Sequence, residues 1–467
     1  MSKIKIGLLS FSDGRSSVHE KLAPHIQNRA DVIRSALEQT GEVEVIEPSR
    51  IICGNGMAKS CAQEVKAALA EAVIFNVPIF AFPNFSVVAE SVLQLPVLVI
   101  ADVNAGLPGL GGLQAASNML DQCGYPCEKV WGNMEDPQVV EQCMKFLRAA
   151  HAAAQLRGQV FGLIGGRSIG MGSGSAQTDA WQQTFGIDVD HMDQLEIVRR
   201  AQEVDGAKVE QAYGWLCSHT KVHFDNNKLT EASLKEQIRH YYATKSICEE
   251  KDYAFVGVKC HYELSAYYCT QCLAAAFFND PYDWDGPKEP MVYTCEGDCE
   301  GGLTMQVMKL ISNKPALFAD FRYFKEETNT FYFCNCGAMA TWYANQSDDP
   351  DENLSQVSLH PIIPKYAGKG CHVVYVAKET PMTFGRITHD QEGFLFTVFT
   401  GTAKRLPDSA MEETCTAWPH MFVTPDAPHQ EILKQFACNH THGVAGNYVE
   451  EIRQFCRLTG IRFRYIQ

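Results

Sequence analysis

Two carboxylates in the middle of the chain, Glu296 and Asp320, and two histidines near its end, His440 and His442, are the side chains whose types and placing could do chemistry. In MVYTCEGDCEGGLTMQVMKLISNKPALFADFRYFK the β-branched and aromatic MVYTC reads as a strand. The acidic, Gly-rich EGDCEGG breaks that pattern, LTMQVMKLIS takes a helical period, and PALFAD reads as a second strand. In a strand–helix–strand unit the carboxyl ends of the strands face one side, so Glu296 and Asp320 are expected together at one rim of a parallel sheet. Two carboxylates there can hold a divalent cation or work as an acid and base pair; the plain alternative is that both are solvated loop acids. Cys438-Asn439-His440-Thr441-His442-Gly443 reads as a polar turn between two helices, where an imidazole either ligates a first-row metal or caps the next helix. Taken together, two carboxylates and one imidazole match a divalent-metal site with open positions for substrate oxygens.

Other segments offer weaker signals. Ser12-Asp13-Gly14-Arg15 follows the first strand, and an Arg in such a turn can grip a polar ligand, although Asp and Gly are also plain turn residues. YAFVGVKCHYELS sets Lys259, His261 and Glu263 where a strand meets a helix. A Lys or His there could polarise a substrate oxygen, a solvated charge being the simpler reading. Gly170, Gly172 and Gly174 lie between a strand and a helix, with Asp188 and Asp190 further on, but their spacing is not that of a dinucleotide fingerprint. The absence of G-K-[ST] excludes a phosphate-cradling P-loop.

The elements that must position these residues follow from pattern and composition. The chain has 467 residues, 46% hydrophobic and 20% charged, which suits a soluble globular protein of several domains. Its net charge of -15 argues against nucleic acid and anionic membranes as partners. No apolar run is long enough for a membrane span. KIKIGLLSF reads as a first strand and not as a secretory leader, so a cytoplasmic location is expected. The 18 cysteines lack the paired C-x-x-C knuckles of a structural zinc site, and Cys269 and Cys272 fall in a predicted helix, ELSAYYCTQCLAAAFF; free, mostly buried thiols are expected.

Residues 1–155 alternate short apolar runs (KIKIGLLSF, VEVIEP, AVIFNVPIFAF, LPVLVIA, EKVWG) with helical stretches, the pattern of a parallel α/β domain. Residues 156–328 form a second α/β domain carrying the carboxylates. Residues 329–467 hold TFYFCNCGAMATWY, CHVVYVAKE, MTFGRITH and GFLFTVFTGTAKRL, alternating runs that predict a mostly antiparallel β domain, with terminal helices supplying the histidine. The fold class is therefore α/β: two parallel-sheet units and then a mostly antiparallel β domain.

Several of these motifs, in order, resemble the L-fucose isomerase family, metal-dependent aldose–ketose isomerases related also to L-arabinose isomerase. Ser12-Asp13-Gly14-Arg15 resembles the family's early D-G-R turn, and GLIGGRSIGMGSGSAQTDAWQQTFGIDVDHMDQLEI its second-domain segment. TCEGDCEGGLTM resembles C-E-x-D-x-x-G-A-L-[ST]-M, whose Glu is a metal ligand and proposed base, here Glu296. The Asp of the following strand, here Asp320, is the second ligand, the His of an A-N-H turn, here His440, the third, and MTFGRI resembles part of the C-terminal β domain.

The resemblance implies Mn2+ or another divalent metal bridging O1 and O2 of a sugar, a proton moved between C1 and C2 by Glu296 or Asp320, and a homo-oligomer, commonly a hexamer. Its sites lie at subunit interfaces, with Arg15 reaching into a neighbour's site. Arg15, Lys259, Arg322, Trp418 and Asn439 are the candidates for holding the sugar. Asp320 is followed by Phe321-Arg322-Tyr323 where the fucose enzymes carry W-N-N. Together with Lys259 and Arg15, Arg322 would add positive charge that suits a hexose with an anionic substituent, such as sulfoquinovose, beside L-fucose or L-arabinose. Two readings of other classes are a nucleotide-binding oxidoreductase using the Gly170–Gly174 loop and a non-catalytic sugar-binding protein.

Overall fold

Residues 3–467 are described by a computed structural model, in which the chain divides into two units. The first runs to Ala154 and takes in Glu450–Leu458 from the far end of the chain. Its strands β1 (Ile4–Ser10), β2 (Val43–Ile46), β3 (Ala72–Asn76), β4 (Val97–Ala101) and β5 (Cys127–Trp131) form one wholly parallel sheet in the order β2-β1-β3-β4-β5. Successive side chains of a strand point to opposite faces, and here both faces are covered. Phe75, Val97 and Val99 enter one core with Leu113, whereas Ile74, Leu98 and Ile100 enter the other with Ile33 and Leu147. Helix Ser16–Glu38 buries Ile26, Ala30, Ile33 and Leu37, one stripe at helical spacing. The returning segment is held by charge: Arg148 lies 2.7 Å from Glu42 and 3.5 Å from the buried Glu451.

One buried carboxylate in this unit has a measurable consequence. Glu90, on helix Asn84–Leu93, is 4% exposed, and burial pushes its pKa up to about 8. Because the folded state binds this proton more tightly than the unfolded state, stability falls as pH rises from the ordinary carboxylate range to about 8, by roughly 1.4 kcal/mol per pH unit. Glu90→Gln is therefore expected to leave the melting temperature unchanged near pH 4 and to raise it at pH 8. Parallel melting curves at the two pH values would refute this.

The second unit, Gln155–Val449 with Thr459–Gln467, contains a parallel sheet in the order Tyr293–Cys295, Phe255–Val258, Val160–Ile164, Asp188–Met192. It also contains a larger, almost wholly antiparallel sheet of seven strands. In that sheet Thr380–Asp390 pairs with His440–Ala445 on one side and with Gly393–Lys404 on the other, so six strands close on themselves. Closure leaves no open edge between them. Arg462–Tyr465 adds in parallel to Gly393–Lys404. Phe321 and Phe399, on strands that are not neighbours, have ring centroids 6.2 Å apart; Phe333 lies 4.9 Å from Phe321, and Phe384 lies 5.1 Å from Phe399. These rings fill the interior.

Helix Cys299–Ser312 packs against both the parallel sheet and this barrel, which is why it is buried almost all round. That burial overturns one expectation. Leu317–Lys325 does not return to the parallel sheet; it pairs antiparallel with Thr330–Cys334 and with His440–Ala445. The chain leaves the sheet through the helix and enters the barrel, where the aromatic run after Asp320 supplies interior rings. The expected polar turn at residues 438–443 is likewise mostly strand, and both His440 and His442 are buried. The expected single helix at residues 263–278 is two, Glu263–Tyr267 and Cys272–Asn279, with Cys269 between them. All 18 cysteines are thiols, and most of them are buried. Among the described residues no helix is long and apolar enough to cross a membrane.

Candidate active site

Glu296 sits just past the last residue of Tyr293–Cys295, in a left-handed backbone conformation (φ 60°). Gly297 follows at φ 65°, and a Cβ there would stand 3.1 Å from the carbonyl oxygen of Gly166. A non-glycine residue in this conformation is uncommon and costs on the order of 1–2 kcal/mol, which the surrounding structure must offset. The turn aims Glu296 toward the barrel. Phe321 points into the barrel, so Asp320, one residue earlier, points out of it. The register sets Asp320 directly opposite His440.

Three side chains from two different sheets thereby meet. His440 Nε2 is 3.3 Å from Asp320 Oδ1 and 4.0 Å from Glu296 Oε2. Asn335 Nδ2 donates to Asp320 Oδ2 at 2.8 Å, and Asn439 Nδ2 donates to Oδ1 at 3.2 Å. Asp320 is therefore tethered at both oxygens. Glu296 faces a second imidazole instead, with His261 Nε2 at 3.2 Å from Oε1. That nitrogen also lies 3.3 Å from the Tyr366 hydroxyl, and the two rings stack. Burial raises the pKa of Glu296 to about 7 and also raises that of Asp320, whereas it lowers that of His261.

A buried charge network holds His440. Asp298 Oδ2 accepts from His440 Nδ1 at 2.7 Å and from Arg386 Nη1 at 2.7 Å, and Oδ1 accepts from Arg386 Nη2 at 2.8 Å. The same Oδ1 accepts from the backbone N–H of Gly301 at 2.9 Å and caps helix Cys299–Ser312. Asp298 and Arg386 are 0% and 1% exposed at their side chains. Burial by itself would raise the Asp298 carboxyl, but Arg386 and His440 hold it well below the ordinary range. Burial would lower His440, and Asp298 outweighs it, so the imidazole titrates above its usual value. With Nδ1 committed to Asp298, Nε2 is left for the carboxylates. His442, in contrast, turns its Nε2 to Arg386 at 2.8 Å.

The other candidates fall in several places. Trp418 is buried, and its indole nitrogen has no hydrogen-bond partner among the described residues. Arg322 lies over its ring at 5.6 Å and Lys365 at 5.2 Å, and Lys365 adjoins Tyr366. Lys259 is paired with Glu263 at 2.8 Å. Arg15 belongs to the first unit, where Asp13 holds it at 2.5 Å with its side chain 68% exposed.

Asp298, Arg386, Asn335, Lys365 and Tyr366 were not singled out from the sequence. An Asp just before a helical run is an N-cap signal that could have marked Asp298. A lone Arg in the apolar run MTFGRI was the available sign of Arg386.

Among the described residues no group of three or more His, Cys, Asp or Glu side chains is arranged so as to hold a metal ion. The donor set of two carboxylates and one imidazole, with the imidazole's far nitrogen fixed by a carboxylate, nevertheless has the chemistry that suits a hard divalent cation.

Two domain models of one family match the chain. "L-fucose isomerase, first N-terminal domain" covers residues 3–158, and "L-fucose isomerase, C-terminal domain" covers residues 333–467. The L-fucose isomerases of Citrobacter koseri and Klebsiella pneumoniae are each 22% identical over 358 residues, and that of Salmonella paratyphi B is 23% identical. These alignments take in 68% of this chain, which spans about 60% of the length of those relatives. Matched by one family's models in its N-terminal and C-terminal regions, the chain belongs to the L-fucose isomerase family.

Proposed function

We propose that the protein is a metal-dependent aldose–ketose isomerase, and the convergence of Glu296, Asp320 and His440 is the observation that carries this reading. Those three residues would hold the cation, Mn2+ by family resemblance, and when bound it would supply Lewis-acid polarisation of the substrate carbonyl. Glu296 is the base: its oxygens are not tied by amide donors as those of Asp320 are, and it faces the imidazoles of His261 and His440. It takes the C2 proton of the aldose, giving an enediolate, and returns it to C1, while the hydroxyl proton passes from O2 to O1 and the carbonyl forms at C2. Asp320, fixed by Asn335 and Asn439, and His440, fixed by Asp298, keep their places during the transfer. His261 keeps Glu296 Oε1 oriented.

The substrate is an L-fucose- or L-arabinose-type sugar or a hexose with an anionic substituent such as sulfoquinovose. The second option is supported by Arg322 and Lys365, two exposed cations flanking Trp418 and without an ion-pair partner among the described residues. An exposed Arg15 on its turn is consistent with a homo-oligomer, a hexamer by resemblance, in which Arg15 serves a neighbouring subunit's site in the cytoplasm.

A single panel tests the reading. Ketose formation is measured from L-fucose, L-arabinose and sulfoquinovose, after chelation and after Mn2+ is restored. Activity on at least one aldose that disappears on chelation and returns with Mn2+ is expected, because three protein ligands with open positions release metal more readily than a closed site. Full turnover in chelated protein would end the metal assignment, and a higher kcat/KM for either neutral sugar would end the anionic one.

A further inference from the structure

Three thiols from separate segments meet beside the candidate active site. Cys295 ends the strand Tyr293–Cys295, Cys272 opens the helix Cys272–Asn279, and Cys336 follows the strand Thr330–Cys334. The Cys295 and Cys336 sulfurs are 3.8 Å apart. Cys272 packs against the turn at Cys336–Gly337, and His372 Nδ1 lies 3.2 Å from Cys272 Sγ. All four residues are buried. The approach is built into the backbone: Gly337 has φ 150°, and a Cβ there would stand 2.4 Å from that of Cys272. Only glycine lets this loop press Cys336 against its neighbours.

Cys295 and Cys336 each adjoin a residue of the site. Cys295 immediately precedes Glu296, and Cys336 immediately follows Asn335, which holds Asp320. A disulfide would bring the two sulfurs from 3.8 Å to about 2.05 Å and so draw together the segments that aim the two carboxylates. Misplacement of about 1 Å at a reacting group can cost about 10²-fold in rate.

We propose that Cys295 and Cys336 form a reversible disulfide that closes down the Glu296–Asp320 site under peroxide. The Cys336 thiolate attacks hydrogen peroxide, forming an S–O bond and releasing hydroxide as the O–O bond breaks. The Cys295 thiol then attacks that sulfur, the S–S bond forms, and water leaves with the thiol proton. The peroxide takes the two electrons, one from each sulfur, and an added dithiol reverses the step by exchange. The effect on turnover rests on the isomerase reading; formation of the bond does not.

The test treats the full-length protein with hydrogen peroxide and maps its peptides by mass spectrometry before and after added dithiothreitol. A Cys295–Cys336 linked peptide that appears with peroxide and vanishes with dithiothreitol is expected. Aldose turnover should be lost and regained in step with it, and Cys336→Ser should keep its turnover under the same treatment. The linked peptide is scored whether or not any sugar is isomerised, so failure of the isomerase reading remains distinguishable. Both thiols staying free, either pairing elsewhere, or stoichiometric zinc in the purified protein that protects all three thiols from alkylation would overturn the proposal.

Discussion

Glu296→Gln is expected to lower turnover by about 10²- to 10⁴-fold while sugar binding changes little, because a general base contributes chiefly in the transition state. The substitution keeps the shape of the side chain but removes both its ability to take a proton and its charge as a ligand, so metal must be saturating for the loss of the base to be read. His261 stays 3.2 Å from the position of Oε1 and His440 4.0 Å from that of Oε2, so the wall that meets the sugar is preserved. The informative measurement separates chemistry from binding: single-turnover rates beside a direct sugar titration, with Mn2+ saturating in both proteins. If the variant turns over within a few fold of the parent, the proton is taken by another group, and Asp320 is the next to be tested.

Asp298→Asn has the second large effect, and it reaches both stability and the site. Asp298 is the one anion shared by Arg386, His440 and the first turn of helix Cys299–Ser312. Removing its charge leaves Arg386 buried with Glu300 at 3.6 Å as its remaining carboxylate. Breaking a buried ion pair from one side costs about 3–5 kcal/mol, far more than a surface pair would. His440 also loses the partner that fixes its ring and its tautomer, a loss that typically weakens metal affinity by about 10–100-fold. Denaturant unfolding of the metal-free protein and calorimetric Mn2+ titration read the two effects separately. An unfolding midpoint at the parent's denaturant concentration would refute the first, and an unchanged affinity in a folded variant would refute the second.

Both effects trace to residues that differ in how legible they were. Glu296 and Asp320 stood out because an acid at the end of a β-branched run interrupts a strong local pattern, and strand periodicity is a local property. Asp298 and Arg386 did not, because their importance lies in a hydrogen bond between segments 88 residues apart. The neighbourhood of Glu296 and Asp320 was anticipated, but for a different reason from the one the structure supplies. They were expected at the rim of one parallel sheet, and they come from a parallel sheet and a barrel joined by a helix buried between them.

The alternating apolar and helical pattern by itself determined the parallel sheet of the first unit and the mostly antiparallel character of the later region. Each of these depends on local periodicity or on composition. Tertiary structure alone decided that His440 lies in a strand opposite Asp320 and not in a turn, since a six-residue segment with two histidines carries little signal until its pairing partners bury it on both sides. It alone decided that His442 turns to Arg386 while His440 turns to the carboxylates, because barrel closure and the cap of a buried helix place Asp298 against one imidazole and Arg386 against the other. Register between distant strands is set by which side chains fill the barrel, and that competition is settled only when the whole barrel closes.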